Sequence, residues 1–138
     1  MGLFDAIDVS ASGLSAERLR MDVTAENLAN AQTTRAADGG PYRRKTVVLQ
    51  EAGGGFGAEL ARARGVEVAG IVQDGAPPRM VYDPSHPDAD ARGYIQMPNV
   101  NPVTEMVDLI TASRGYEANV TAMQTAKQMF SKTLDILR

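Results

Sequence analysis

Large apolar residues recur every seven positions at both ends of the chain. Near the start, Ile7, Leu14, Met21 and Leu28 are seven apart, with Phe4, Ala11 and Ala25 in a companion row that Arg18 interrupts. Near the end, Leu109, Tyr116, Met123, Phe130 and Leu137 repeat the spacing, and Met106, Val120 and Leu134 fill a second row broken by Ser113 and Lys127. Two positions in seven make the narrow seam of a coiled coil, not the wider stripe of a helix lying on a globular core. The pattern predicts helices over 3–31 and 102–138. The second has a clear start. Asn101 caps with its side-chain oxygen, Pro102 suits the first helical position, and Glu105 and Asp108 oppose the positive end of the dipole. Gly13, with Ser10 and Ser12 beside it, and Gly115 are local weaknesses, since a mid-helix glycine costs up to ~1 kcal/mol against alanine.

Between the helices the pattern changes. All seven prolines fall between Pro41 and Pro102, and of the 13 glycines only Gly2, Gly13 and Gly115 lie outside this middle part. Short alternating runs at 42–50, 66–72, 79–82 and 94–97 predict strands, separated by turns at Gly53-Gly54-Gly55, Asp74-Gly75, Pro77-Pro78 and Asp83-Pro84. Strands so few and short make a small sheet. The expected fold is therefore mainly α with a small β portion. Residues 1–34 and 101–138 form a discontinuous coiled-coil helical domain, and 35–100 a strand-and-loop insertion. At 1.5 Å per residue the helices run roughly 40 and 50 Å. A compact ball of this chain length is only about 35–40 Å across, so the helices are expected to finish their burial against other subunits.

Composition sharpens this picture. Apolar residues make up 43% of the 138 residues but aromatics only 5%, with no tryptophan. Much of the apolar content is alanine, which suits thin helix seams better than a thick core. The net charge of −3 gives no global field for phosphate, so nucleic acid is not an expected partner. With no cysteine there is no disulfide, thiolate nucleophile or Cys-based zinc site. No apolar run approaches the ~20 residues of a membrane span, and no cleavable secretory signal is visible at the start.

Candidate chemistry is thin. The glycines at 53–55 lack the Lys-Ser or Lys-Thr of a phosphate loop, and Ala58 and Leu60 break a dinucleotide spacing. Asp83, His86, Asp88 and Asp90 cluster in one turn-rich segment. A calcium-loop reading fails at Arg92 and Asn99, one histidine is too little for most zinc sites, and the same residue types are ordinary turn formers. Ser85 beside His86 is not a nucleophile pair, because adjacent residues rarely reach the needed geometry. Neither catalysis, metal, cofactor nor small-molecule substrate is expected. Arg43-Arg44-Lys45 reads as charged residues guarding an exposed strand, with phosphate or peptidoglycan contact as the alternative. Asn119-Val120-Thr121 has the form of a glycosylation sequon inside a helix seam and is discounted. Asn27 and Asn30 lie three apart at the end of the first helix. Capping accounts for Asn30. Asn27 is either exposed or a register-fixing hydrogen-bonder across helices.

The segments AENLANAQTT (25–34) and PNVNPVTEMVDLITASRGYEANV (98–120) resemble the two ends of the flagellar rod proteins of bacteria. The first carries an Asn-x-x-Asn with threonines, here Asn27, Asn30, Thr33 and Thr34, and the second opens a helix after Asn-Val-Asn. FDAIDVSASGL (4–14), PYRRK (41–45) and YDPSHPDADARGYIQMPNVN (82–101) extend the likeness over nearly the whole chain. The length suits a proximal-rod member. Arg35 and Ala36 stand where the family commonly has glycine after the threonines, and Gly115 where it often has a larger residue. The resemblance implies a non-enzymatic structural subunit of a helical periplasmic tube that transmits motor torque. It implies delivery through the flagellar type III export apparatus without a cleaved signal. The implied partners are copies of itself and other rod proteins (FlgB, FlgF, FlgG, FliE), with peptidoglycan as a further contact. The assembly contacts expected on this reading are Ile7, Leu14, Met21, Asn27, Leu28 and Asn30 in the first helix. In the second they are Asn101, Met106, Leu109, Tyr116, Val120, Met123, Phe130, Leu134 and Leu137. The rival readings are another rod member such as FlgB, a coiled-coil adaptor whose β part binds a partner, and a metal-dependent cell-wall enzyme using the Asp83–Asp90 cluster.

Overall fold

The computed structural model describes residues 3–36, 39–53 and 65–136. In chain order the elements are α1 (Leu3–Ala29), β1 (Lys45–Glu51), β2 (Val66–Gln73), β3 (Arg79–Tyr82), β4 (Tyr94–Met97) and α2 (Pro102–Ile136). The strands form two antiparallel hairpins, β1 with β2 and β3 with β4. Two terminal helices around a small β portion is the class the apolar pattern predicts. Leu137 and Gly54 onward through the glycine-rich turn lie outside the described residues.

The helices pack on each other in an antiparallel pair. The space beside Gly13 is filled by the Asn119 side chain, that beside Gly115 by Glu17, and Asn27 bonds to Glu105. Each pair of residue numbers totals 132, so the register is constant along the pair. Leu3 is then level with Met129, and the last turns of the 35-residue α2 run past the start of the 27-residue α1. Gly13 and Gly115, weak points by propensity, sit where the helices approach closely. A Cβ at Gly13 would lie 3.1 Å from the Asn119 side chain, tighter than ordinary contact.

The line of closest burial differs from the row of large residues. In α2 it passes through Glu105, Ala112 and Ala126, with half-buried Asn119 in the same seven-residue row. In α1 it passes through Ala16, Val23 and Asn27. The row of Ile7, Leu14, Met21 and Leu28, and that of Leu109, Tyr116 and Met123, are only half-buried. The physical reason is size. Small side chains let two helix backbones approach, and the bulky rows are left on the flanks of the contact.

Both hairpins are fixed by local chemistry. A bulge between Val48 and Leu49 shifts the β1–β2 register. The start of β2 touches α1, where the Val66 amide donates to Ser12 Oγ at 3.0 Å and Ser12 Oγ donates to the Val9 carbonyl at 2.7 Å. Ser12, a weak helix former, is thus spent on a tertiary contact. In the second hairpin Ile95 is buried while Tyr82 and Tyr94 pair edge to face, 5.2 Å between ring centroids. Gly93 turns there with a φ of +80°, a conformation that L side chains rarely adopt. No helix among the described residues is long and apolar enough to cross a membrane.

The Ser12 contact leaves no room at Gly65, where a Cβ would lie 2.4 Å from Ser12 Oγ. Because that oxygen is held by two hydrogen bonds it does not swing away freely. Gly65→Ala is expected to lower the unfolding free energy by about 1–3 kcal/mol, read from urea denaturation. An unchanged midpoint would show that this contact is slack.

Candidate assembly interface

Asn27 is the centre of the molecule's polar lock. It is 1% exposed, on the face of α1 turned to α2. Its Oδ1 accepts from the Tyr42 hydroxyl (2.9 Å) and the Lys45 amide (2.9 Å). Its Nδ2 donates to the Lys45 carbonyl (2.8 Å) and to Glu105 Oε2 (3.0 Å). Both acceptor and both donor capacities of the amide are filled. The side chain therefore ties α1 to the first residue of β1 and to the first turn of α2. This is the cross-helix bond raised as one reading of Asn27, and it reaches the strand as well.

Glu105 is equally buried, at 1% exposure. Its other oxygen accepts from Arg44 Nε at 2.6 Å, and Arg44 also reaches Asp108 at 3.2 Å. Lys45 pairs with Glu26 at 2.6 Å. The reading of Arg43-Arg44-Lys45 as guards of an exposed strand is therefore corrected for two of the three. Arg44 and Lys45 are committed to acids on the two helices, and only Arg43 is exposed. A buried carboxylate needs a paired cation, because its desolvation is otherwise prohibitive. Sequence reasoning assigned Glu105 to the helix dipole and missed its burial. The bonds from Asn27 to Tyr42 and Lys45 have no local sign in the sequence. The hydrogen bond to Glu105 pushes the Arg44 pKa up, and the hydrogen bond to Glu26 does the same for Lys45. Burial raises the Tyr42 hydroxyl above its ordinary value.

The two capping asparagines behave as local chemistry dictates. Asn101 Oδ1 accepts from the Val103 amide at 3.0 Å, capping α2. Asn30 ends α1, its Nδ2 donating to the Glu26 carbonyl and its Oδ1 accepting from Thr33. The Asp83–Asp90 segment is built as successive turns. Asp83 Oδ1 accepts from the Ser85 hydroxyl and amide, His86 Nδ1 from the Asp88 amide, and Asp90 Oδ1 from the Arg92 and Tyr94 amides. The Ser85 hydroxyl bond holds the Asp83 carboxyl below its ordinary pKa. Asp88 is held by Thr34 and Arg35, which anchors the turn to the segment after α1.

What the lock leaves outside is apolar. Met106 is 45% exposed and Leu134 51%, and Val103, Val107, Ile110, Met129 and Phe130 are exposed with them on α2. Ile7, Leu14, Met21, Leu28, Leu109, Tyr116, Val120 and Met123 are half-buried, and Asn101 is exposed. Among the described residues expected at the interface, Asn27 alone is fully buried in its own chain.

The comparisons with known proteins agree with this architecture. Residues 7–36 match the family described as flagella basal body rod protein, and residues 91–136 the family described as flagellar basal body rod FlgEFG protein C-terminal. The chain is 48% identical to a protein of Bacillus subtilis, with 99% of each chain covered. It is 45% identical to one of Borreliella burgdorferi, covering 100% of this chain and 99% of that one. It is 44% identical to one of Salmonella typhimurium, covering 99% of this chain and 98% of that one. Paired terminal helices with these end-to-end likenesses define the class: the chain belongs to the flagellar basal-body rod protein family. The three relatives just described are each the flagellar basal-body rod protein FlgC.

Two measurements test the lock. Asn27→Ala strands several buried partners at once and is expected to cost about 2–5 kcal/mol in chemical denaturation; a loss below about 0.5 kcal/mol would show that the bonds are not cooperative. Tyr42 and Lys45 hold their protons more tightly folded than unfolded. Their contribution is complete below the ordinary values of 10.0 and 10.5 and is lost as pH rises through the raised ones. The melting temperature should therefore fall on going above about pH 10. Tyr42→Phe should flatten that fall while costing about 1 kcal/mol at neutral pH.

Proposed function

We propose that the chain is a structural subunit of the proximal rod of the bacterial flagellum, stacked helically with copies of itself and with other rod proteins (FlgB, FlgF, FlgG, FliE). Residues 1–34 and 101–138 act as one axial helical domain, joined to neighbours by coiled-coil packing, and 35–100 as the insertion it carries. The tube stands in the periplasm and passes torque from the basal body outward. Its subunits arrive through the flagellar type III export apparatus without cleavage of a signal. Family membership supports the place. The observation that carries the mechanism is the exposed apolar surface of α2.

A torque shaft needs stiffness, and stiffness comes from many apolar contacts buried between neighbours. Each fully buried large apolar side chain contributes ~1.5–3 kcal/mol, a gain that surface exposed in one chain realises only on assembly. The internal lock is polar and specific, so a chain can hold its helix register while keeping its adhesive residues outside.

Met106→Ala and Leu134→Ala separate assembly from folding. Both side chains are about half exposed in the single chain. Each substitution is expected to change chain stability by no more than about 0.5 kcal/mol, yet to reduce incorporation into basal bodies and motility. Normal rods and swimming in both variants would count against the interface.

A further inference from the structure

Each helix carries an exposed pair of opposite charges on the side turned away from the other helix. Arg18 and Asp22 on α1, and Arg114 and Glu117 on α2, are exposed and enter none of the ion pairs among the described residues. At 3.6 residues per turn, Arg18 and Asp22 share the side of α1 turned away from Asn27, together with exposed Ala25 and Ala29. Arg114 and Glu117 share the side of α2 turned away from Glu105 and Ala112, together with exposed Val107 and Ile110. The two faces thus lie on opposite outer sides of the helix pair and cannot meet within one chain.

We propose that the outer face of α2 in one copy docks on the outer face of α1 in a second copy of this chain, the two helices antiparallel. This inference rests on the rod-subunit reading and names the contact it leaves open. Sign order carries it. Antiparallel docking sets Arg18 against Glu117 and Asp22 against Arg114, whereas parallel docking sets like charges together. In the same register Ala25 faces Ile110 and Ala29 faces Val107, so small residues on α1 meet large ones on α2 and the backbones approach. Charge pattern then fixes register and excludes wrong pairings, while the apolar contact supplies adhesion. Because the two faces differ, the contact is heterologous and leaves a free face at each end of any row of copies. The facing residue numbers total 135 or 136, against 132 inside the chain. Successive copies are therefore displaced by about 5 Å along the helices.

The absence of native cysteine makes the test direct. Full-length chain carrying both Ala25→Cys and Ile110→Cys is expressed in a flagellated bacterium lacking its own copy, and isolated basal bodies are oxidised. Facing positions come within disulfide reach, so a ladder of disulfide-linked copies of this chain is expected, with none from either substitution alone. Incorporated chain that stays unlinked, or links only to other proteins, overturns the docking while leaving the rod reading intact. Unsubstituted chain absent from basal bodies overturns the rod reading itself. Independently, Arg18→Glu should lower incorporation at least tenfold, and adding Glu117→Arg to the same chain should restore it. Failure of the second change to rescue the first overturns the pairing.

Discussion

One buried amide organises this molecule. Asn27 sits where three elements meet, and its four hydrogen bonds go to a side chain of the segment before β1, to both backbone groups of Lys45 and to the first turn of α2. A buried asparagine with an unfilled capacity would be a liability, whereas a filled one specifies a single register. Glu105 and Arg44 extend the lock by one shell. The carboxylate is buried because it has Asn27 on one oxygen and a guanidinium on the other. Moving α1 by one turn along α2 would strand an amide, a hydroxyl and a carboxylate together. The antiparallel register that sums to 132 is the consequence.

That specificity is polar, and it frees the apolar residues for other work. In an ordinary small domain the large side chains are the core. Here the line of closest contact between the helices runs through Ala16, Val23, Ala112 and Ala126, and the large apolar side chains of α2 stay half-buried or exposed. Gly13 and Gly115 belong to the same design, giving up helix propensity for close approach. The division suits a protein that must hold a defined shape alone and become part of a larger solid afterwards.

The two helices, their limits to within two residues, and the four short strands were legible in the sequence, because heptad spacing, the Asn101-Pro102 start and the Gly/Pro turns are local signals. The caps at Asn30 and Asn101 were legible for the same reason. The face of each helix that meets the other was not. Periodicity marks the row of greatest hydrophobicity, and the intrachain contact uses the row of smallest size. Burial of Glu105 was also hidden, since its partners stand 61 and 78 residues away in Arg44 and Asn27. Arg44 and Lys45 looked like surface charge for lack of any local sign of their acids. The two readings of Asn27 meet the same limit: the residue type poses the choice, and only tertiary geometry makes it.

The reach of the Asn27 lock also sets an order of events. A chain that emerges from the ribosome N-terminus first exposes Asn27 early and Glu105 only once three-quarters of its length has been made. Until then α1 can close only against the β1–β2 hairpin, and its longest contact, along α2, has no partner. The last segment to appear is the one that commits the whole to its final form.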